Sequence, residues 1–335
     1  MILSPNFSRH SLRGNHLFLA LLLFFLGIAG SLQSSSAARA NAGSRGQTAI
    51  AVNTDLVLLP VKVTDAHGTF VSGLKRDNFR VYEDGQLQKL AVFDEEDTPV
   101  TVGLVVDHSR SMATKIPDVV AAVASFTHSS NQRDEMFVVD FNDDVSIELM
   151  KGKAFSNDAK ELGEALTAVS ARGRTALYDA VSEGLHHLQY GHLEKKALII
   201  ISDGGDNASH LKYSQVLAQA RQSRALIYSI GLLSSDGDEE NPGLLQRLCK
   251  NTGGIAYFPR QGESVATVSA EIARDLREQY TLGYIPQNLK NAAVFRKIEV
   301  KVSATIHGKL RVRARQGYSP AAETQPTEQL GPETR

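Results

Sequence analysis

Three short stretches carry side chains suited to holding a hard cation. Asp107, Ser109 and Ser111 form an Asp-x-Ser-x-Ser pattern, Thr175 follows the glycine-containing run Arg172-Gly173-Arg174, and Asp203 lies in Ser202-Asp203-Gly204. Mg2+ prefers oxygen donors in octahedral array and usually keeps several waters. Two carboxylates and three hydroxyls in one place would suit it. Neutral hydroxyls offset little of its charge, which leaves such an ion able to accept a further carboxylate from outside. Taken singly, each pattern also has an ordinary meaning, because Asp, Ser and Thr are common capping and turn residues.

The surroundings of each stretch favour the chemical reading. Val100–Val106 is an apolar, β-branched run that stops at Asp107, and Lys196–Ile201 leads to a second stop at Ser202-Asp203. Both read as buried strands that deliver polar residues to their carboxyl ends. Thr175 stands where a glycine loop meets a helical pattern. Three loops carrying Asp107/Ser109/Ser111, Thr175 and Asp203, in that order, resemble the metal-ion-dependent adhesion site (MIDAS) of von Willebrand factor type A domains, over roughly residues 98–279.

The resemblance implies an α/β fold, a doubly wound Rossmann-like domain, with Mg2+ (Mn2+ or Ca2+ as substitutes) held by Asp107, Ser109, Ser111, Thr175 and Asp203. In such a site the two aspartates act largely through water or a single oxygen. A protein partner would complete the metal shell with an Asp or Glu carboxylate, and movement of the last helix would gate affinity. His108 and Arg110 occupy the variable positions of the first motif, where a residue either faces the ligand or has no role on an exposed loop.

To position three such loops, helix and strand patterns must alternate, as a mostly parallel sheet requires. The spacing of apolar residues predicts helices over 115–129, 158–170, 175–189, 213–222, 244–251 and 264–277, with further strands at 135–141 and 225–232. In open sheets of this kind ligands bind at the carboxyl ends of the strands, where the strand order reverses.

The flanks have a β texture. Asp55–Asp65 reads as a strand in which Pro60 signals an edge or a bulge. Phe79–Glu83, Asp84-Gly85 and Gln86–Phe93 read as a hairpin. Alternation returns at Gln279–Ile285, Phe295–Ala304 and Lys309–Arg315. So few strands at either end would leave long edges and little core. The expectation is one small β-sandwich drawn from residues 41–97 and 280–318, with the α/β domain (98–279) inserted, an arrangement that resembles integrin β subunits and bacterial exported proteins with A-type domains. The stripe Lys309/Arg311/Arg313/Arg315 reads as a solvated strand face, with an anion-binding patch as the alternative.

Residues 1–40 have the form of a signal peptide: Arg9 and Arg13 without acidic residues, an apolar run over Leu17–Gly30, then Ala38-Arg39-Ala40. An uncleaved anchor is the alternative, and either predicts an exported, periplasmic, secreted or cell-surface protein. Residues 319–335, rich in Pro, Glu, Thr and Gln, read as a disordered tail. The single cysteine, Cys249, has no partner for an internal disulfide. A net charge of −1 argues against a nucleic acid as partner. The acidic run Asp140, Asn142, Asp143 and Asp144 reads as a solvated loop rather than a second calcium site.

The function these residues suggest is binding, in adhesion or envelope-complex assembly, and not an enzyme activity. A metal-dependent hydrolase or phosphotransferase, with Asp107 as nucleophile or a cation-activated water, is the alternative. No Gly-x-Ser-x-Gly, P-loop or His-Glu-x-x-His run supports it.

Overall fold

The computed structural model describes residues 56–320 apart from 150–151, 234–239, 261, 288–293 and 305–307. All of these fall in Asn53–Arg335, the second of the two units into which the chain divides. The signal segment and the tail beyond 320 lie outside the described residues.

The chain enters through β1 (Val57–Thr64), β2 (Phe79–Glu83), β3 (Gln86–Gln88) and β4 (Leu90–Asp94). The α/β region then runs β5 (Val100–Asp107), α1 (Ile116–Ser129), β6 (Glu135–Phe141), β7 (Val145–Glu148), α2 (Ala159–Thr167), α3 (Leu177–His187) and β8 (Lys195–Ser202). It continues with α4 (Tyr213–Gln222), β9 (Leu226–Gly231), α5 (Pro242–Thr252), β10 (Ala256–Tyr257) and α6 (Val265–Arg277). Last come β11 (Tyr280–Tyr284), β12 (Arg296–Val302), β13 (Arg311–Arg313) and β14 (Gly317–Tyr318).

The central sheet has the order β10-β9-β8-β5-β6-β7, with every pairing parallel except β6–β7. All eight residues of β5 are buried, because helices cover both faces. Val102, Leu104 and Val106 pack with α1, α2 and α6, while Val105 joins Leu198, Ile200 and residues of α3, α4 and α5 on the other side. The fold is therefore doubly wound. From β5 the chain steps outward to β6 and β7, then returns across β5 to β8 and continues the opposite way. That reversal opens a crevice at the carboxyl ends of β5 and β8.

Local signals account for the helix ends. The Asn241 side chain accepts from Leu244 N at the start of α5, and Gly253, with φ +93°, ends that helix in the left-handed conformation only glycine adopts freely. Asp158 caps α2 in the same way through Lys160 N.

The flanking strands form two four-stranded sheets, β13-β1-β11-β4 and β14-β12-β2-β3, each mixing strands from both ends of the chain. Val61, Phe79, Val81, Tyr280 and Leu282 contribute to their common apolar core. The hairpin turn occurs at Asp84 (φ 48°) and Gly85 (φ 82°) as the sequence suggests. Its second arm differs from expectation. Gln86–Gln88 pairs with β2, whereas Leu90–Asp94 leaves for the other sheet and pairs with β11. Pro60 lies in the part of β1 bonded only to β11, since β13 pairs with residues 62–64. On that stretch the side away from β11 carries no partner strand, where a residue without an N–H costs no ladder bond. Three short edge strands, β7, β10 and β14, go beyond the sequence reading.

The basic stripe is a correction. Lys309 and Arg311 are exposed, but Arg313 and Arg315 turn into the α/β region. Arg313 donates to the Gly253 carbonyl (2.6 Å) and pairs with Asp275 on α6 (2.6 Å). Arg315, 4% exposed, donates to the Arg221 and Ser223 carbonyls (3.2 and 3.0 Å). These carbonyls lie at the ends of α5 and α4, where the last turns have no intrahelical donors. Cations are favoured there by the helix dipole as well. Asp275 also accepts from Tyr228 Oη (2.6 Å) and lies 3.5 Å from Lys62 Nζ on β1. The end of the sandwich thereby ties off three helices of the inserted region.

Candidate metal centre

Asp107 closes β5 with its carboxylate fully buried. Oδ1 accepts from Ser109 N (2.8 Å) and Oδ2 from Ser202 Oγ (2.6 Å), so the group is gripped from its own loop and from β8. Ser109 is extended (φ −67°, ψ 167°), and a 3-10 turn over Arg110–Met112 leads on toward α1. That turn brings Ser109 Oγ within 3.1 Å of Ser111 Oγ. Ser111 Oγ then donates to Asp203 Oδ2 (2.7 Å), and Asp203 Oδ1 accepts from Gly205 N (3.2 Å). Asp107, Ser109, Ser111 and Asp203 are thus joined by short bonds across the crevice. Asp203 is 6% exposed and Ser111 stands open at the mouth.

Thr175, 6% exposed, arrives on a loop laced to both neighbours. Its N–H donates to Asn207 Oδ1 (2.9 Å), and its carbonyl accepts from the N–H groups of Asn207 and Ala208 (3.0 and 3.1 Å). On the other side Arg172 N donates to the His108 carbonyl (2.8 Å) and Arg110 N to the Gly173 carbonyl (3.3 Å). Gly173 has φ +74°, and a Cβ there would fall 1.8 Å from Asp143 Oδ2. Only glycine lets the loop pass this close. Arg174 holds the same aspartate through Nε (2.8 Å) and its N–H (3.1 Å).

Burial pushes the Asp107 carboxyl up from 3.8 to about 6, against the pull of its bonds from Ser109 and Ser202, and Asp203 adds to the rise. Two carboxylates and two serine hydroxyls joined by short bonds, with Thr175 on the adjoining loop held through its backbone, form a hard-oxygen set without a nitrogen or sulfur donor, and a buried carboxylate with an acidic neighbour is a place where a divalent cation relieves the electrostatic cost. The residues present therefore fit such an ion. Among the described residues no cluster of three His, Cys, Asp or Glu side chains is placed to hold a metal. Any cation here would depend on the hydroxyls.

His108 is a further correction, because it does not face a ligand. Its ring is fully buried, with Nε2 3.0 Å from the Leu166 carbonyl and Nδ1 3.0 Å from Asp140 Oδ1, the latter contact close but poorly aligned. The acidic run after β6 likewise divides into separate structural roles. Asp140 sits under His108, Asn142 Oδ1 accepts from Asp144 N, and Asp143 holds Arg174. Asp206 accepts from Tyr178 N and from Ser209 Oγ at the start of α3. Sequence reasoning missed the positioning roles of Ser202, Asn207 and Asp143. The signal for Ser202 was present, since it directly precedes Asp203, but its bond to Asp107 spans two strands.

Comparison with known proteins bears on the same region. Residues 102–205 match the von Willebrand factor type A domain. The matched stretch contains all five candidate residues. No curated protein matches the chain. Among solved structures, a von Willebrand factor type A protein from Catenulispora acidiphila is 15% identical, covering 67% of this chain and 51% of its own, with a TM-score of 0.48. An aerotolerance-related membrane protein from Bacteroides fragilis is 14% identical (53% and 98% covered, TM-score 0.44). The von Willebrand factor domain of the type V pili tip protein Mfa5 from Porphyromonas gingivalis is 12% identical (53% and 95%, TM-score 0.43). The chain spans about half the length of the first of these.

Proposed function

We propose that this is an exported binding protein that captures a protein partner through a divalent cation at Asp107, Ser109, Ser111, Thr175 and Asp203. The observation that carries the reading is the bonded chain Ser109–Ser111–Asp203, set beside a buried Asp107 whose carboxyl is lifted to about 6. When bound, Mg2+ would offer an open coordination position to a carboxylate of the partner. The protein's own part is to hold the five oxygens in place. Ser202 and Ser109 N orient Asp107, Gly205 N and Ser111 orient Asp203, and Asn207 fixes the Thr175 backbone. The chemistry is capture rather than turnover, in keeping with a His108 ring packed away from the mouth. Export rests on the amino-terminal pattern of residues 1–40. Among the described residues no helix is long and apolar enough to cross a membrane.

Calorimetric titration of the whole chain with Mg2+ and Mn2+, beside Thr175→Ala and Asp203→Asn, tests the reading. Saturable binding weakened at least tenfold in both variants supports it. Absence of binding in the unaltered protein, or equal binding in the variants, would overturn it. The whole chain is the proper object, because Arg313 and Arg315 satisfy the carboxyl ends of α5 and α4 from outside the α/β region.

A further inference from the structure

Three arginines stand on the loops that carry the candidate ligands: Arg110 between Ser109 and Ser111, and Arg172 and Arg174 just before Thr175. All three are exposed. The bonds Arg172 N to the His108 carbonyl and Arg110 N to the Gly173 carbonyl set Arg110 and Arg172 on adjacent backbone, beside the open Ser111. Arg174 is engaged by Asp143. The guanidinium groups of Arg110 and Arg172 have neither an ion pair nor a hydrogen-bond partner among the described residues.

Three nearby acidic groups are already engaged, while Asp144, next to Asp143, is exposed. Asp143 holds Arg174, Asp179 accepts from the N–H groups of His210 and Leu211 and contacts His210 Nδ1 (2.9 Å), and Asp206 accepts from Ser209 and Tyr178. The Arg110 and Arg172 guanidinium groups, without a direct acidic partner among the described residues, therefore offer positive charge beside the position a partner carboxylate would take. Guanidinium groups match carboxylates geometrically as well as in charge.

We infer that the partner presents a paired acidic motif on an exposed peptide segment, with one carboxylate at the metal and a second, a few residues away, on Arg110 and Arg172. The inference rests on the metal-capture reading above. It narrows the partner from any protein with an available acid to one bearing two acids in near sequence. Rim charges of this kind act mainly on association rate and on salt dependence.

The test uses the whole chain at saturating Mg2+ and fluorescent glycine-rich peptides that carry either one Asp or two Asp separated by one to four residues. The best two-Asp peptide is expected to bind about fivefold tighter at low salt, through faster association. That advantage shrinks at high salt. R110Q/R172Q abolishes it while calorimetric Mg2+ binding persists. K212Q, which removes an exposed charge outside the two loops, leaves it intact. If the one-Asp peptide binds and is released by chelator, yet no spacing gives an advantage or the advantage survives R110Q/R172Q, the paired-acid inference is overturned and metal capture stands. If the unaltered protein takes up no Mg2+, both are overturned.

Discussion

Replacing Asp107 by Asn should stabilise the metal-free protein while removing its ability to hold a cation. Burial raises the carboxyl from 3.8 to about 6, so its ionised form is disfavoured in the folded state. At pH 8 that difference amounts to about 3 kcal/mol of lost stability. An asparagine escapes the charge penalty and keeps an oxygen for Ser109 N. Its amide must donate to Ser202 Oγ, where the carboxylate accepted, and reorienting that bond costs about 1 kcal/mol. The net gain of about 2 kcal/mol corresponds to a rise in Tm of roughly 3–4 °C for a unit of this size.

The sign with pH follows from the direction of the shift. Well below pH 3.8 the carboxyl is protonated in both folded and unfolded chains and contributes nothing. The penalty grows as pH rises toward 6, reaches about half its full size at pH 5, and is complete above 7. Thermal melts of both proteins in chelator at pH 4, 5 and 8 check this: the advantage of Asp107→Asn should grow in that order. Adding Mg2+ at pH 8 should raise the Tm of the unaltered protein alone. A variant that melts below the unaltered protein in chelator at pH 8 would refute the reasoning, because the carboxylate would then be stabilising the fold without a cation.

Ser202→Ala removes a donor to the same buried carboxylate, so the Asp107 carboxyl should rise further and Mg2+ titrations at pH 7 should show weaker binding; unchanged affinity would count against the positioning role. Gly173→Ala places a Cβ 1.8 Å from Asp143 Oδ2 at a φ of +74°; a loss of about 2 kcal/mol in denaturant unfolding, with weakened Mg2+ binding, is expected. The matched control Gly68→Ala has φ +87° but open space around its Cβ, and should leave Mg2+ affinity intact. Asp275→Ala strips the partner from Arg313 and Tyr228 and removes a charge near Lys62, and should cost about 3 kcal/mol by the same unfolding assay. A loss under 1 kcal/mol would mean that the tie between the sandwich and α6 is weak.

The sequence by itself determined the elements and the chemistry at their ends. Continuous apolar runs at Val100–Val106 and Ala197–Ile201 marked strands buried on both faces, and the stops at Asp107 and Ser202-Asp203 marked their carboxyl ends, because both signals are local. The helix over Tyr213–Gln222 was legible to the residue for the same reason. Tertiary structure decided which neighbours each side chain meets. His108 could be read as facing out or idle until the carbonyl of Leu166, 58 residues away, was placed against its ring. Arg313 and Arg315 alternate like a solvated face, yet they turn inward because the ends of α4 and α5 present carbonyls that need donors. Leu90–Asp94 continues a hairpin in sequence, but β11 gives it a ladder in the opposite sheet. Each of these depends on groups brought together by chain reversal and sheet packing, for which no local pattern carries the information.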